Sequence, residues 1–151
     1  MRVFLDTNIL LDTIVSRDNP EFARNAATIL TLGENGALEL YMSALSIPTI
    51  AYVLKNMSPA AKRIIIGELV DIVKVLPSLP GHVANMLESQ INDIEDALQV
   101  QSAAEGGCDV IVTRNIHDFK LSEIPAIAPD EFLRRILGDV PLTITKKVLE
   151  K

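Results

Sequence analysis

MRVFLDTNILLDTI, residues 1–14, joins a short apolar run to an apolar helical pattern through the polar triplet Asp6-Thr7-Asn8. Residues 2–5 are β-branched or apolar apart from Arg2, and we predict that they form a buried strand. A carboxylate directly after such a strand needs an explanation, because burying an unpaired charge is costly. The opening stretch therefore predicts an α/β fold and raises the question of what Asp6 does.

Strand-like and helix-like stretches alternate along the chain. Helical patterns are predicted to begin at Pro20, after the capping residue Ser58, and over residues 130–137. Alternation of this kind predicts an α/β fold whose mostly parallel sheet is covered on both faces. The remaining predicted strands are residues 109–112 (DVIV) and, as weaker candidates, residues 38–42 and 72–76.

Size and charge limit the function classes. A chain of 151 residues with 48% hydrophobic residues suits one domain, which we place at residues 1–138, with a C-terminal extension of undefined structure at residues 139–151. No apolar run approaches the roughly 20 residues of a membrane span, so we expect a cytoplasmic protein. The net charge of −6 argues against broad electrostatic capture of nucleic acid, but acids gathered in one pocket would bind cations.

Asp6 has two interpretations. Its side chain could accept a hydrogen bond from a free backbone N–H and cap the helix predicted to begin near Asn8. Alternatively, Asp6, Thr7 and Asn8 supply a carboxylate, a hydroxyl and an amide at the carboxyl end of a strand, where parallel sheets bind ligands. Such a set could bind a metal ion and hold the binding carboxylate in place.

Two further aspartates lie in the segment INDIEDAL, residues 91–98. Asp93 and Asp96 are three residues apart, so on a helix they share one face. They could simply be the cap and a first-turn acid, which the helix dipole favours. Because Asp96 directly precedes the apolar stripe of this helix, we expect it to tilt inward toward the rim of the sheet.

A third polar cluster, TRNIHDF at residues 113–119, follows the DVIV strand. Thr113, Asn115 and Asp118 offer oxygen ligands or hydrogen-bond partners, and Arg114 could contact a phosphate. Asparagine and aspartate are also ordinary turn residues. Since the carboxyl ends of parallel strands lie on one rim, we expect this cluster to lie beside Asp6.

Taken together, the stretches LDTNILLD, DIEDALQ and VTRNIHDF resemble the PIN-domain family of metal-dependent ribonucleases, close to the branch that includes VapC-type toxins. The resemblance extends over roughly residues 2–137. It implies a three-layer α/β/α sandwich around a mostly parallel sheet of about five strands. It also implies hydrolysis of RNA with Mg²⁺ or Mn²⁺, a homodimer, and an antitoxin protein as a partner.

The resemblance assigns the family's first aspartate to Asp6, steadied by Asn8, and the aspartate before an Ala-Leu helix to Asp96. The family's late Thr-x-Asp-x-x-Asp-Phe element matches residues 113–119, in which Asp118 keeps the second acid and Asn115 replaces the first.

A second departure concerns the glutamate that the family usually carries on the helix after its second strand. No acidic residue lies between Tyr41 and Glu68. The usual four-acid site is thus reduced to Asp6, Asp96 and Asp118, with Asp93 as the nearest candidate for compensation.

The reduced site is expected to hold one Mg²⁺ or Mn²⁺ firmly, because hard cations prefer oxygen ligands and a second ion needs more negative charge. Asp6 and Asp96 are the expected metal ligands, and they are catalytic together with Asp118, which would orient a water molecule. The expected supporting residues are Asn8, Asp93, Thr113 and Asn115, with Arg114 on the substrate phosphate.

Two other functions stay open. The missing acids favour a catalytically weak PIN module that binds RNA or protein. A phosphatase with Asp6 as nucleophile fits less well, because such enzymes usually carry a second aspartate where this chain has Asn8. The apolar helices predicted around residues 47–54 and 64–73 could form the homodimer surface.

Overall fold

The computed structural model describes residues 1–15 and 19–138. Within these residues the strands form one five-stranded sheet in which every neighbouring pair is parallel. Helices cover both faces, which confirms the predicted α/β/α sandwich. None of the helices in the described ranges combines the length and apolar character that crossing a bilayer requires. The predicted extension at residues 139–151 lies outside the described residues.

The elements alternate as the sequence predicts. The strands are β1 (Arg2–Leu5), β2 (Glu39–Ser43), β3 (Val73–Leu76), β4 (Val110–Val112) and β5 (Ala126–Ile127). The α-helices are α1 (Thr7–Ile14), α2 (Pro20–Glu34), α3 (Ser46–Val53), α4 (Pro59–Ile72), α5 (Pro80–Glu88), α6 (Ile94–Glu105) and α7 (Pro129–Leu137). A short 3₁₀ helix, Ile116–Phe119, lies between β4 and β5.

The predicted strands are found at or within one residue of their expected bounds, but β5 and α5 were not predicted. β5 has two residues, too few to show a period-two pattern. α5 has one buried side chain, the polar His82, so it presents no apolar stripe to the core.

The order of the strands explains where a ligand would bind. The sheet runs β3-β2-β1-β4-β5. The chain therefore moves outward from β1 to β3 and then returns to the other side of β1 at β4. In an open parallel sheet, the crevice at such a switch point, outside the carboxyl ends of the strands, is the usual ligand site.

The alternation of side chains in β1 divides the core between the two faces of the sheet. Val3 and Leu5 belong to one apolar cluster, to which α1, α2, α3, α4 and α7 contribute buried side chains. Phe4 belongs to a second cluster, in which Val100 and Ala103 of α6 pack against the opposite face. Successive residues of a strand point to opposite faces, so β1 packs against both helical layers.

Local signals set the helix starts that the sequence predicts. Ser58 accepts a hydrogen bond from the backbone N–H of Ala61 at 3.1 Å at the start of α4. The turn from α6 into β4 uses Gly107, whose φ of 61° is a left-handed conformation that favours glycine. This turn directs β4 back alongside β1.

Candidate functional site

Asp6 lies at the carboxyl end of β1 and is buried, with 3% of its surface exposed. Although it occupies the N-cap position of α1, its side chain makes no capping hydrogen bond. Its Oδ2 accepts a hydrogen bond from the hydroxyl of Thr113 at 2.8 Å, and its Oδ1 accepts one from Nε2 of Gln99 at 3.1 Å. The interpretation of Asp6 as a helix cap is therefore wrong, since the carboxylate points into the protein.

Asp96 lies in the first turn of α6 and tilts inward, as predicted. Its Oδ1 is 3.4 Å from Nε2 of Gln99, the same amide nitrogen that contacts Asp6. Asp93 is the N-cap of α6, and its Oδ1 accepts a hydrogen bond from the backbone N–H of Asp96 at 2.9 Å. The fold thus brings Asp6 and Asp96, 90 positions apart in the sequence, to one buried amide.

Gln99 is the residue at the centre of this arrangement that the sequence analysis missed. It is buried, with 1% exposed, and its Oε1 accepts a hydrogen bond from the backbone N–H of Thr7 at 3.3 Å. One signal was present in the sequence, because Gln99 is a polar residue three positions after Asp96 and next to the buried Val100. A polar side chain on the inward face of a helix calls for a hydrogen-bond partner in the core.

Burial controls the charge of Asp6. Desolvation raises its pKa above the ordinary range for an aspartate. Hydrogen bonds from Thr113 and Gln99 oppose this effect by stabilising the carboxylate, and the nearby positive charge of Arg114 acts in the same direction. Asp6 is therefore a desolvated acid whose ionised form depends on a few specific donors.

The charge of Asp96 is controlled by burial and by other acids. Desolvation is the larger cause, followed by repulsion from neighbouring carboxylates, and together they raise its pKa to about 7. A divalent cation at this rim would relieve that repulsion, because it favours the ionised form of every acid around it. The repelling acids, in decreasing order of effect, are Asp93, Asp6, Asp118 and Glu95.

The third polar cluster, residues 113–119, lies beside Asp6, as expected. The buried Thr113 supplies the hydroxyl that binds Asp6, and it accepts a hydrogen bond from the backbone N–H of Asn115 at 3.0 Å. Asp118 is exposed on the 3₁₀ helix. Within the described ranges no hydrogen bond joins Asn8 to Asp6. The amide that binds the Asp6 carboxylate is that of Gln99, whereas the sequence predicted Asn8.

Helix α3, where the family usually carries a glutamate, presents a hydroxyl to the rim. The buried Ser46 is 2.7 Å from the hydroxyl of Thr7, which is 3.2 Å from Oε1 of Glu95. The carboxylate on this side of the rim is therefore that of Glu95, which lies on α6 and not on α3. Neither Ser46 nor Glu95 was among the predicted site residues.

Arg114 has protein partners on the side of α1 and α2. Its Nη2 donates a hydrogen bond to Oδ1 of the buried Asp12 at 3.3 Å, and its Nε is 2.9 Å from Oδ2 of Asp12. The guanidinium also lies over the ring of Phe22, 4.2 Å from its centroid. A contact between Arg114 and a substrate phosphate stays a prediction, and the observed contacts assign this side chain a structural role.

Replacing Arg114 with methionine is expected to lower the free energy of unfolding by about 3 kcal/mol, because the buried carboxylate of Asp12 loses this ion pair and the cation–π contact with Phe22 is also lost. Urea denaturation measures this change. Arg63→Met is the control, since Arg63 is exposed on α4. A folded Arg114→Met variant with unchanged stability and weaker RNA binding would instead support the phosphate role.

The donor set suits a hard cation only in part. The carboxylates and hydroxyls at the rim offer oxygen atoms, which are the ligands that Mg²⁺ and Mn²⁺ prefer. Within residues 1–15 and 19–138, however, no three acidic, histidine or cysteine side chains are placed to hold an ion by themselves. An ion at this rim would therefore use Asp6 and Asp96 and complete its coordination with water or substrate oxygen, as Mg²⁺ commonly does.

Comparison with known proteins shows a family match and several solved structures with a similar fold. A family profile described as PIN domain matches residues 2–117. The chain is similar to VapBC2 from Rickettsia felis bound to a promoter DNA fragment, with a TM-score of 0.62 and 16% identity, covering 85% of this chain and 98% of that chain. It is also similar to FitAcB from Neisseria gonorrhoeae (TM-score 0.61, 15% identity, 84% and 97% covered) and VapBC-1 from nontypeable Haemophilus influenzae (0.61, 16%, 86% and 99%). No curated protein sequence matches the chain.

Proposed function

The chain belongs to the PIN-domain family, and from this premise we propose that it is a metal-dependent endoribonuclease that hydrolyses RNA phosphodiesters. The observation that carries the proposal is the convergence of Asp6 and Asp96 on the amide of Gln99, at the switch point of the sheet. Acids whose pKa is raised by desolvation in such a crevice are typical of functional sites.

In this proposal Asp6 and Asp96 hold one Mg²⁺ or Mn²⁺. A bound divalent cation would neutralise charge on the phosphate and make a water molecule easier to deprotonate. Asp118, exposed at the rim, would orient the attacking water, and Asp93 would add negative charge beside Asp96. Thr113 keeps Asp6 oriented through its hydrogen bond of 2.8 Å.

A cavity of about 300 Å³ borders the acidic rim and supports an approach route for the substrate. Its lining includes Asp93 and Asp118, together with His117 and Lys120. The two latter side chains are exposed and could donate hydrogen bonds to phosphate oxygens. We propose that an RNA strand enters along this cavity with its backbone facing Lys120.

The proposed partners are an antitoxin protein and a second copy of the chain. The solved structures that share the fold include toxin–antitoxin complexes, one of them from Klebsiella pneumoniae with 18% identity and a TM-score of 0.60. Exposed apolar side chains on and between α3 and α4 support an interface there, as the sequence suggested; they are Tyr52 (68% exposed), Met57 (43%) and Ile64 (62%). Light scattering of the purified chain tests the dimer.

A catalytically weak module that binds RNA is the second candidate. It is favoured by Ser46 and Thr7 on the side of the rim where the family usually has its glutamate. The resulting site has fewer acids to hold an ion than the usual PIN site.

Incubation of the purified chain with single-stranded RNA separates these candidates. Cleavage that appears with millimolar Mg²⁺ or Mn²⁺ and stops with a chelator is the expected result. A folded chain that binds RNA but leaves it intact under all these conditions would overturn the nuclease proposal and favour the binding module. Repeating the assay with DNA of the same sequence tests the preference for RNA.

A further inference from the structure

Gln99 makes an unusual pair of contacts for a buried glutamine. Its Nε2 is 3.1 Å from Oδ1 of Asp6 and 3.4 Å from Oδ1 of Asp96, while its Oε1 faces the backbone N–H of Thr7 at 3.3 Å. This arrangement fixes the orientation of the amide, because an ionised carboxylate only accepts hydrogen bonds and a backbone N–H only donates them. The two N–H groups of the amide can therefore be directed to two different acids.

The chemistry of an amide suits this position better than the alternatives. An apolar side chain could occupy this buried position, but it would leave the buried Asp6 with one donor fewer. A lysine would bind both acids, but its positive charge would neutralise them and repel an incoming cation. A glutamine donates to both carboxylates and leaves their charge available.

We propose that Gln99 is a positioning residue that holds the carboxylates of Asp6 and Asp96 close together, in the arrangement that captures a divalent cation. The inference rests on the proposed metal-dependent function. Gln99 acts through the two acids and does not need to touch the ion. The two oxygens of a carboxylate offer about four lone-pair sites, so each acid can accept the hydrogen bond from Gln99 and still coordinate an ion.

This role also explains how Asp6 and Asp96 stay close to each other before an ion binds. Two nearby carboxylates repel each other and favour side-chain rotamers that separate them. The shared amide opposes that separation by bonding to both. Outer residues that orient ligands in this way typically change metal affinity by about 10- to 100-fold when they are replaced.

The test is Mn²⁺ binding by the full chain, measured by calorimetry, for the wild type and for Gln99→Met. Methionine keeps much of the volume of glutamine but donates no hydrogen bond, so Mn²⁺ affinity is expected to fall about 10- to 100-fold. Gln101→Met is the matched control on the same helix, where Gln101 accepts a hydrogen bond from Asn85 at 2.9 Å, away from both acids. The control is expected to bind Mn²⁺ as the wild type does.

A second variant separates positioning from a purely structural role. Gln99→Asn keeps an amide donor but is one methylene shorter, so its amide is not expected to reach both Asp6 and Asp96. The variant is expected to fold, and Mn²⁺ is expected to raise its Tm by less than it raises that of the wild type. A structural role predicts the same Mn²⁺-induced rise in both proteins.

The outcomes distinguish this inference from the function on which it rests. Equal Mn²⁺ affinity in the wild type and a folded Gln99→Met overturns the positioning role alone. If Gln99→Met does not fold, equal Mn²⁺-induced shifts in Gln99→Asn and the wild type overturn it instead. Failure of the wild type to bind Mn²⁺, or binding that Asp6→Asn leaves unchanged, overturns the proposed metal site and the inference together.

Discussion

Asp6→Asn and Asp96→Asn are each expected to reduce metal-dependent RNA cleavage by about a thousandfold. Each change removes one of the two charges proposed to hold the ion, and loss of electrostatic stabilisation at a buried site has effects of this size. Asparagine keeps the size of aspartate, and the hydroxyl of Thr113 can reverse its role and accept a hydrogen bond from the new amide. The fold should therefore survive at position 6.

The measurement is the cleavage rate of a labelled single-stranded RNA at saturating Mn²⁺, with circular dichroism to confirm folding. Asp71→Asn is the matched control, because Asp71 is exposed on α4, and it is expected to cleave at the wild-type rate. Undiminished cleavage by folded Asp6→Asn or Asp96→Asn would place the chemistry elsewhere in the protein.

Metal-free protein is expected to lose stability between about pH 4 and pH 8 through Asp96. The unfolded chain ionises this acid near its ordinary pKa, 3.8, whereas the folded chain ionises it near 7. Between these values the folded state binds more protons than the unfolded state, so the contribution of Asp96 to the free energy of unfolding falls as pH rises and then levels off. Allowing for solvent screening of this half-buried group, the expected loss is about 2 kcal/mol.

Urea denaturation in chelator at pH 5 and pH 8 measures this effect by comparing the wild type with Asp96→Asn. The variant lacks the ionising group, so it should be more stable than the wild type at pH 8, and the difference should shrink at pH 5. The charges that face Asp96 are Asp6, Asp93, Glu95 and Asp118, and all remain in the variant. An equal pH dependence in both proteins would show that Asp96 ionises normally in the folded chain.

Local residue patterns were enough to predict the sandwich and the rim on which the polar clusters meet. Strands at residues 2–5 and 109–112 were recognisable because each is a short apolar run followed at once by polar residues. Parallel strands end on one rim, and this rule predicted that the polar cluster at residues 113–119 lies on the same rim as Asp6. The inward tilt of Asp96 followed from its place next to an apolar stripe.

The partners of individual side chains were less predictable. Asn8, the nearest amide in sequence, was expected to steady Asp6, yet that contact comes from Gln99, 93 positions away. Arg114 pairs with Asp12, 102 positions away, a contact that the sequence did not suggest. Sequence proximity suggested the wrong partner for Asp6, because it carries no information about which helix packs over which strand end.

The sequence by itself determined the alternating α/β order, the parallel sheet and the identity of the acids at the strand ends, because these features depend on periodicity and residue type within short segments. Only the tertiary structure decided that Asp6 turns away from its helix, that one buried amide contacts both acids, and that burial with acidic neighbours raises the pKa of Asp96 to about 7. Those properties depend on distances and solvent exclusion between segments far apart in the chain. They exist only once helix α6 has packed against the sheet.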